Sequence, residues 1–302
     1  MVHVAIEPKA FPEYVAAVIE AGGQVVPMSQ EVKALIWLDY SQPKALADLL
    51  DENPQIEWVQ LPFAGVDAFS EIIKRPIRFT SAKGSYREPV AEHALALSLA
   101  LMRIIPERVR TQTWGRQFAE SLYDSNVLIF GGGGITEELV KILAPFRSNV
   151  TVVRKRPNPV SGAAKTVSFD QLDQELPHAD LVILAAALTA ETHQLFDANK
   201  FALMKNSAYL VNIARGPMIN TKDLIEALNS EVIAGAAVDV TDPEPLPDGH
   251  PLWSAKNVII TPHSADTRKQ VVRLFSERIR ENVGAYSSGF GWVGIVDPVF
   301  GY

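Results

Sequence analysis

The chain of 302 residues contains no cysteine, which excludes a disulfide framework, a thiolate zinc site and a cysteine nucleophile. It also lacks a long uninterrupted apolar run. The most apolar stretch, residues 89–105, is broken by Glu92, His93 and Arg103. It is too short and too polar to span a bilayer and is expected to be a buried helix. The opening Met1-Val-His-Val-Ala-Ile has no basic segment ahead of an apolar core, so no signal peptide is expected. Positive charge is in deficit: 28 Lys and Arg against 35 Asp and Glu leave a net charge of −7, which argues against a nucleic-acid surface. The histidines show no metal-ligand spacing, so no metal site is expected. With 47% hydrophobic and 21% charged residues, what remains is an ordinary globular composition, long enough for about two domains. A cytoplasmic protein without nucleic-acid or membrane partners is expected.

Short apolar runs alternate with amphipathic stretches along most of the chain. Strands are expected over residues 2–6, 24–27, 34–38, 56–60 and 77–81, with helices over 12–21 and 43–51 that open on Pro12 and Pro43. A second series has strands over 127–130, 150–153, 181–184, 208–212, 233–238 and 258–260. Its helices are expected over 137–143 and 221–229, with Thr221 as N-cap of the latter. Such alternation predicts parallel sheets covered by helices, so the fold class is α/β with two doubly wound parallel-sheet domains. The helix over 89–105 is expected to join them, and a final helix over 267–286 to return to the first. The proline-rich segment 156–162 is expected to be a surface connection.

Val127-Leu-Ile-Phe-Gly-Gly-Gly-Gly134 places a glycine turn after a strand and before a helix. Gly131 and Gly133 suit a tight turn that approaches a pyrophosphate closely, and a helix beginning near Ile135 would aim free N–H groups at that anion, with Gly134 a further cofactor-binding candidate. Thr136 stands where a third glycine is usual, followed by Glu137 and Glu138, which would repel a phosphate if they faced it. By itself the stretch suits a cofactor turn and a plain strand-turn-helix equally. About 20 residues on, where an acidic residue would hold a ribose hydroxyl, the next strand ends in Arg154-Lys155-Arg156. Three cations there suit a 2′-phosphate, and hence NADP(H) over NAD(H), although a solvated basic strand end has the same appearance.

Farther along, three predicted strand ends carry chemistry: Arg215 in Asn212-Ile-Ala-Arg-Gly216, Asp239 and Glu244 in Ala237-Val-Asp-Val-Thr-Asp-Pro-Glu-Pro-Leu246, and His263 in Thr261-Pro-His263. The carboxyl edge of an open parallel sheet is where ligands bind. Singly each residue reads as a cap or a solvated loop; in order at one sheet edge they read as a site for proton and hydride chemistry.

These stretches, together with Pro62-Phe-Ala-Gly-Val-Asp67, Pro89-Val-Ala-Glu-His-Ala-Leu95, Leu188-Thr-Ala-Glu-Thr192 and Thr261-Pro-His-Ser-Ala265, resemble the D-isomer-specific 2-hydroxyacid dehydrogenases. The likeness lies near their glyoxylate/hydroxypyruvate reductases and short phosphoglycerate dehydrogenase-like members. It implies a flavodoxin-like substrate domain, residues 1–98 plus 271–302, and a Rossmann dinucleotide-binding domain, residues 99–270. It also implies that Arg215 grips the substrate carboxylate and keto oxygen, that His263 is the general acid and that Glu244 is its carboxylate partner. Phe63, Ala64 and Gly65 match the loop that receives the substrate carboxylate. Asp239 matches the residue that holds the nicotinamide carboxamide, and Ala187, Leu188, Thr189 and Ala214 match cofactor-lining positions. Ala187 and Thr136 depart from the family pattern, which has proline and glycine there.

The expected activity is hydride transfer from NADP(H), or NAD(H), to glyoxylate or hydroxypyruvate, giving a D-2-hydroxy acid, by a homodimer. Two rivals stand beside it: an NAD-dependent phosphoglycerate dehydrogenase, and a dinucleotide-sensing protein of the same fold without turnover. Trp37, Phe63, Tyr86 and Arg87 are further candidates for shaping a substrate pocket. Trp114, in a region that the family uses for dimer contact, reads more simply as a packing residue. Glu92 and His93 read as structural.

Overall fold

The computed structural model describes residues 1–115 and 118–298. It divides into two compact units, Met1–Tyr86 with the segment from Thr267 onward, and Arg87–Asp266. The last four residues of the expected first domain, 299–302, lie outside the described residues.

The first unit begins β1 (Val2–Glu7), α1 (Pro12–Glu20), β2 (Gly23–Val25), β3 (Ala34–Trp37), α2 (Pro43–Glu52), β4 (Trp58–Gln60) and β5 (Arg78–Thr80). All pairings are parallel and the order is β2-β1-β3-β4-β5, the flavodoxin-like arrangement. Pro12 and Pro43 occupy the first helical turn, where a missing N–H costs nothing. Ala34-Leu-Ile-Trp37 is buried at every position, as expected of a strand covered on both faces, and therefore shows no alternation.

The second unit starts with α3 (Arg87–Met102) and α4 (Ile105–Arg110), then β6 (Asn126–Phe130), α5 (Gly134–Leu143), β7 (Asn149–Val153), β8 (Lys165–Val167), α6 (Leu172–Glu175), β9 (Leu181–Leu184), α7 (Ala198–Leu203), β10 (Tyr209–Asn212), α8 (Thr221–Asn229), β11 (Gly235–Val238) and β12 (Val258–Ile260). Its sheet is parallel throughout, in the order β12-β11-β10-β9-β6-β7-β8. This is the doubly wound dinucleotide-fold order with one strand added, and it reverses between β6 and β9. The chain then returns to the first unit as α9 (Arg268–Ser288), opened by a capping box between Thr267 and Gln270.

Four local expectations change. The helix over 89–105 stops at Met102, because Ile104 takes a left-handed conformation (φ 49°) and a new helix begins at Ile105 with Pro106 in its first turn. β8 was not foreseen: three residues on a sheet edge, Lys165-Thr-Val167, carry too little pattern to read. α5 starts at Gly134, ahead of the helical span expected over 137–143 and one residue ahead of the start expected near Ile135. The N-cap of α8 is Asn220, whose Oδ1 accepts from the Asp223 N–H at 3.1 Å, while Thr221 instead donates to Asp242 O at 2.8 Å.

The units part at residues 86/87 and 266/267, where 98/99 and 270/271 were expected. The reason is α3, whose Ala91, Ala94, Leu97, Leu101 and Met102 share a core with Val127, Ile129 and Leu139. Among the described residues, no helix is long and apolar enough to cross a membrane. Nor does any group of three or more His, Asp or Glu side chains form a metal cage.

Candidate active site

The glycine turn leaves β6 at the point where the strand order reverses. Gly131 has φ 118°, and a Cβ there would stand 2.5 Å from Ala185 O, so only glycine lets the turn lie against the loop after β9. Thr136 is fully buried and donates its hydroxyl to Gly131 O at 2.9 Å. The departure at the third glycine position is thus a brace that closes the turn from within the helix. Over Gly133 there is open space, and among the described residues no acceptor takes the N–H groups of Gly133, Gly134 or Ile135. Free N–H groups at the positive end of a helix form an anion cradle. Glu138 bonds Lys141 at 3.0 Å, one turn farther along the helix, and Glu137 is exposed.

At the end of β7, Arg154 lies across Gly132, its Cδ 2.6 Å from the place of a Cβ there. Lys155 is held by Glu191 at 2.8 and 2.9 Å, and Arg156 is exposed. An ion pair as exposed as Lys155–Glu191 is worth about 0–1 kcal/mol, so a competing anion would displace it cheaply. Thr192 shapes the loop holding Ala187, Leu188 and Thr189: its hydroxyl donates to Ala187 O and accepts from the Thr189 N–H, both at 2.8 Å.

The ends of β10, β11 and β12 bring the catalytic candidates to one edge. Buried Asn212 accepts from the Ala214 N–H and donates to Arg215 O, each at 3.0 Å, and so fixes the Arg215 loop. Arg215 Nη1 donates to Ala214 O at 2.7 Å. Gly216 packs so tightly that a Cβ would lie 1.9 Å from Thr241 O, which joins the Arg215 loop to the Glu244 loop. Three residues past the end of β12, His263 adopts φ 50° and donates its backbone N–H to Asp239 O at 2.8 Å. Its Nδ1 lies 2.6 Å from Glu244 Oε1. Among the described residues no partner meets His263 Nε2, the ring atom left to exchange a proton.

Asp239 is only 2% exposed. Burial by itself would raise its pKa, yet hydrogen bonds from His93, Thr261 and the Ser264 N–H outweigh burial and hold the carboxyl below its usual range. His93, which reads from the sequence as structural, is thus in contact with a candidate site residue, and Asn212 and Thr261 brace the site although the sequence gives them no role of their own. Asp266 is pushed up, chiefly by burial, with His263 opposing and Asp239 adding to the rise.

In the first unit, no acceptor among the described residues takes the N–H groups of Phe63, Ala64 or Gly65. Tyr86 donates its hydroxyl to Pro62 O at 2.9 Å and steadies that loop. Trp37 is buried in the core, and Arg87 is exposed at the start of α3. Trp114 does not pack within the described chain: it is 88% exposed, on the segment between α4 and β6.

Residues 94–265 match the family model described as D-isomer specific 2-hydroxyacid dehydrogenase, NAD binding domain. A protein of Corynebacterium melassecola, named only as an uncharacterized protein in the proB 3′ region, is 38% identical over 96% of this chain and 97% of its own length. The glyoxylate reductase/hydroxypyruvate reductase of Mus musculus is 35% identical over 73% of this chain and 70% of its own. Among solved structures, a D-isomer specific 2-hydroxyacid dehydrogenase from Xanthobacter autotrophicus Py2, crystallised with NADPH and MES, superimposes with a TM-score of 0.86. It has 25% identity, over 100% of this chain and 99% of that one.

Proposed function

The chain belongs to the D-isomer specific 2-hydroxyacid dehydrogenase family, NAD(P)-dependent oxidoreductases, and from that premise we propose that it reduces glyoxylate or hydroxypyruvate to the D-2-hydroxy acid with NADPH as the preferred donor. The observation that carries the reading is the His263–Glu244 pair at the carboxyl edge that also holds Arg215. Relatives named for glyoxylate and hydroxypyruvate reduction support the substrate class.

The residues present fit a dinucleotide. The free N–H groups of Gly133, Gly134 and Ile135 would hold its pyrophosphate, and Arg154 and Arg156 a 2′-phosphate, joined by Lys155 once Glu191 is displaced. Ala187, Leu188, Thr189 and Ala214 would line the site, and Asp239 would accept from the carboxamide. When bound, the nicotinamide supplies the hydride. Arg215 would clamp the substrate carboxylate and neutralise charge on the keto oxygen. Protonated His263, with Nδ1 bonded to Glu244, would pass a proton from Nε2 to that oxygen. The N–H groups of Phe63, Ala64 and Gly65, which meet no acceptor among the described residues, are suited to a carboxylate. We assign the first unit to substrate and the second to cofactor, and take the active form to be a cytoplasmic homodimer.

The test is a calorimetric titration with NADPH and NADH in parallel, followed by a panel of 2-oxo acids. Tighter NADPH binding and turnover of glyoxylate or hydroxypyruvate are expected. NADH preference with phosphohydroxypyruvate turnover would favour the phosphoglycerate dehydrogenase reading, and binding without turnover would favour the sensor.

A further inference from the structure

Asp239 is a buried carboxylate whose two oxygens are treated unequally. Oδ1 accepts from Thr261 Oγ1 at 2.6 Å and from the Ser264 N–H at 2.9 Å, and His93 Nε2 lies 3.2 Å from the same atom. Among the described residues, nothing donates to Oδ2. Oδ2 is not among the sealed, unpartnered side-chain atoms of the described residues, so it stays open to a donor from outside the chain, while Oδ1 is met from within.

The hydrogen bonds also fix the direction of the chain of donors. A serine or threonine hydroxyl carries one proton, and Thr261 gives its proton to Oδ1. The Thr261 oxygen, 3.1 Å from His93 Nε2, is therefore free only to accept. His93 Nε2 must carry hydrogen and donate toward both Thr261 Oγ1 and Asp239 Oδ1. His93 stands on α3, far from the glycine turn in sequence, and it is the one charge-capable side chain within ion-pair distance of Asp239 among the described residues.

We propose that His93 is a positioning residue for the cofactor: donating directly and through Thr261, it pins the Asp239 carboxylate by Oδ1 and so reserves Oδ2 for an N–H of the nicotinamide carboxamide. The inference rests on the reading of this unit as a dinucleotide site with Asp239 at the carboxamide. Without the His93 donor, the carboxylate loses one fixed point, and Oδ2 loses its orientation along with it. On that reading the adenine half would lie at the other side of the strand-order reversal and would be untouched by the change. A purely structural His93, tying α3 to the sheet, would affect both halves alike.

The test uses the full chain and two kinds of probe: NADPH and NADH, and the nicotinamide-free 2′-phospho-ADP-ribose and ADP-ribose. His93→Leu removes the donor, Thr261→Val removes the relay, and His93→Gln keeps an N–H near the place of Nε2. Hydrogen bonds to a charged group being worth what they are, His93→Leu and Thr261→Val are expected to weaken the better-bound dinucleotide about tenfold or more, and to leave the nicotinamide-free ligands within about twofold. His93→Gln should recover most of the loss and restore the fluorescence of bound reduced nicotinamide. Equal weakening of both kinds of probe, or no weakening of either, would overturn the inference. If His93→Leu does not fold, Thr261→Val decides by the same selective or unselective loss. Wild-type protein that binds none of the four would overturn the dinucleotide reading itself, whereas wild-type binding with unselective variants overturns only the part given to His93.

Discussion

His263 Nδ1 and Glu244 Oε1 stand 2.6 Å apart although both side chains are about half exposed. Water competes for each of them, so the contact persists because the backbones present the two groups to each other. The His263 N–H is tied to Asp239 O, and the Glu244 loop is packed on Gly216. His263→Ala is expected to lower kcat about 10²- to 10⁴-fold, the usual contribution of a general acid. Glu244→Gln should lower it less, because the ring is kept. Steady-state kinetics with separately measured NADPH affinity checks this, and cofactor affinity should be unchanged in both variants.

Gly216 is the joint between the Arg215 and Glu244 loops. A methyl group there would overlap a backbone carbonyl, which cannot rotate away as a side chain would. Gly216→Ala is expected to cost about 1–3 kcal/mol of stability by overpacking and to lower kcat in the same protein. A variant with wild-type stability and rate would show that the two loops are independent.

Thr136→Val tests the brace within the glycine turn. The shape is conserved, while Gly131 O loses its hydroxyl donor in a buried place. A loss of about 1–3 kcal/mol in urea unfolding is expected, with the NADPH-to-NADH affinity ratio unchanged. A shifted ratio would mean that the turn, and not the basic run at the end of β7, sets cofactor choice.

Arg154→Asp should weaken NADPH more than NADH, and Glu191→Gln should strengthen NADPH by releasing Lys155. Paired calorimetric titrations read both. An unchanged preference in the two variants would reduce residues 154–156 to a solvated strand end.

In the first unit, burial and then the hydrogen bond and charge of Glu57 push the Tyr286 phenol from 10.0 up to about 12. The folded state thus favours the neutral phenol. Its contribution to stability is fully present below the unfolded value and is lost as pH rises through about 12. The difference in urea midpoint between wild type and Tyr286→Phe should be constant up to about pH 9 and shrink as pH climbs from 10. A difference that stays constant through that window would contradict the shift.

Most of the strands were legible because parallel strands covered on both faces are short unbroken apolar runs, such as Leu181-Val-Ile-Leu184 and Ala34-Leu-Ile-Trp37. The placement of Arg215, Asp239 and His263 past strand ends was legible because each follows such a run. What escaped was non-local or too short. The three residues of β8 carry no period, and the allegiance of α3 depends on which sheet receives its apolar positions. The Thr136 hydroxyl finds its acceptor only once the turn is closed. His93 meets Asp239 only after the chain has crossed the sheet, and no spacing in the sequence records that contact.

The most direct test of the central claim is the rate of NADPH oxidation with glyoxylate or hydroxypyruvate, measured for wild type and Arg215→Ala with NADPH affinity determined on the same samples. The account predicts wild-type turnover, a fall of about 10²- to 10³-fold or more in the variant, and NADPH binding that is nearly the same in both. Loss of binding together with turnover would contradict the role given to Arg215. A wild-type protein that binds NADPH and reduces no 2-oxo acid would contradict the reductase itself.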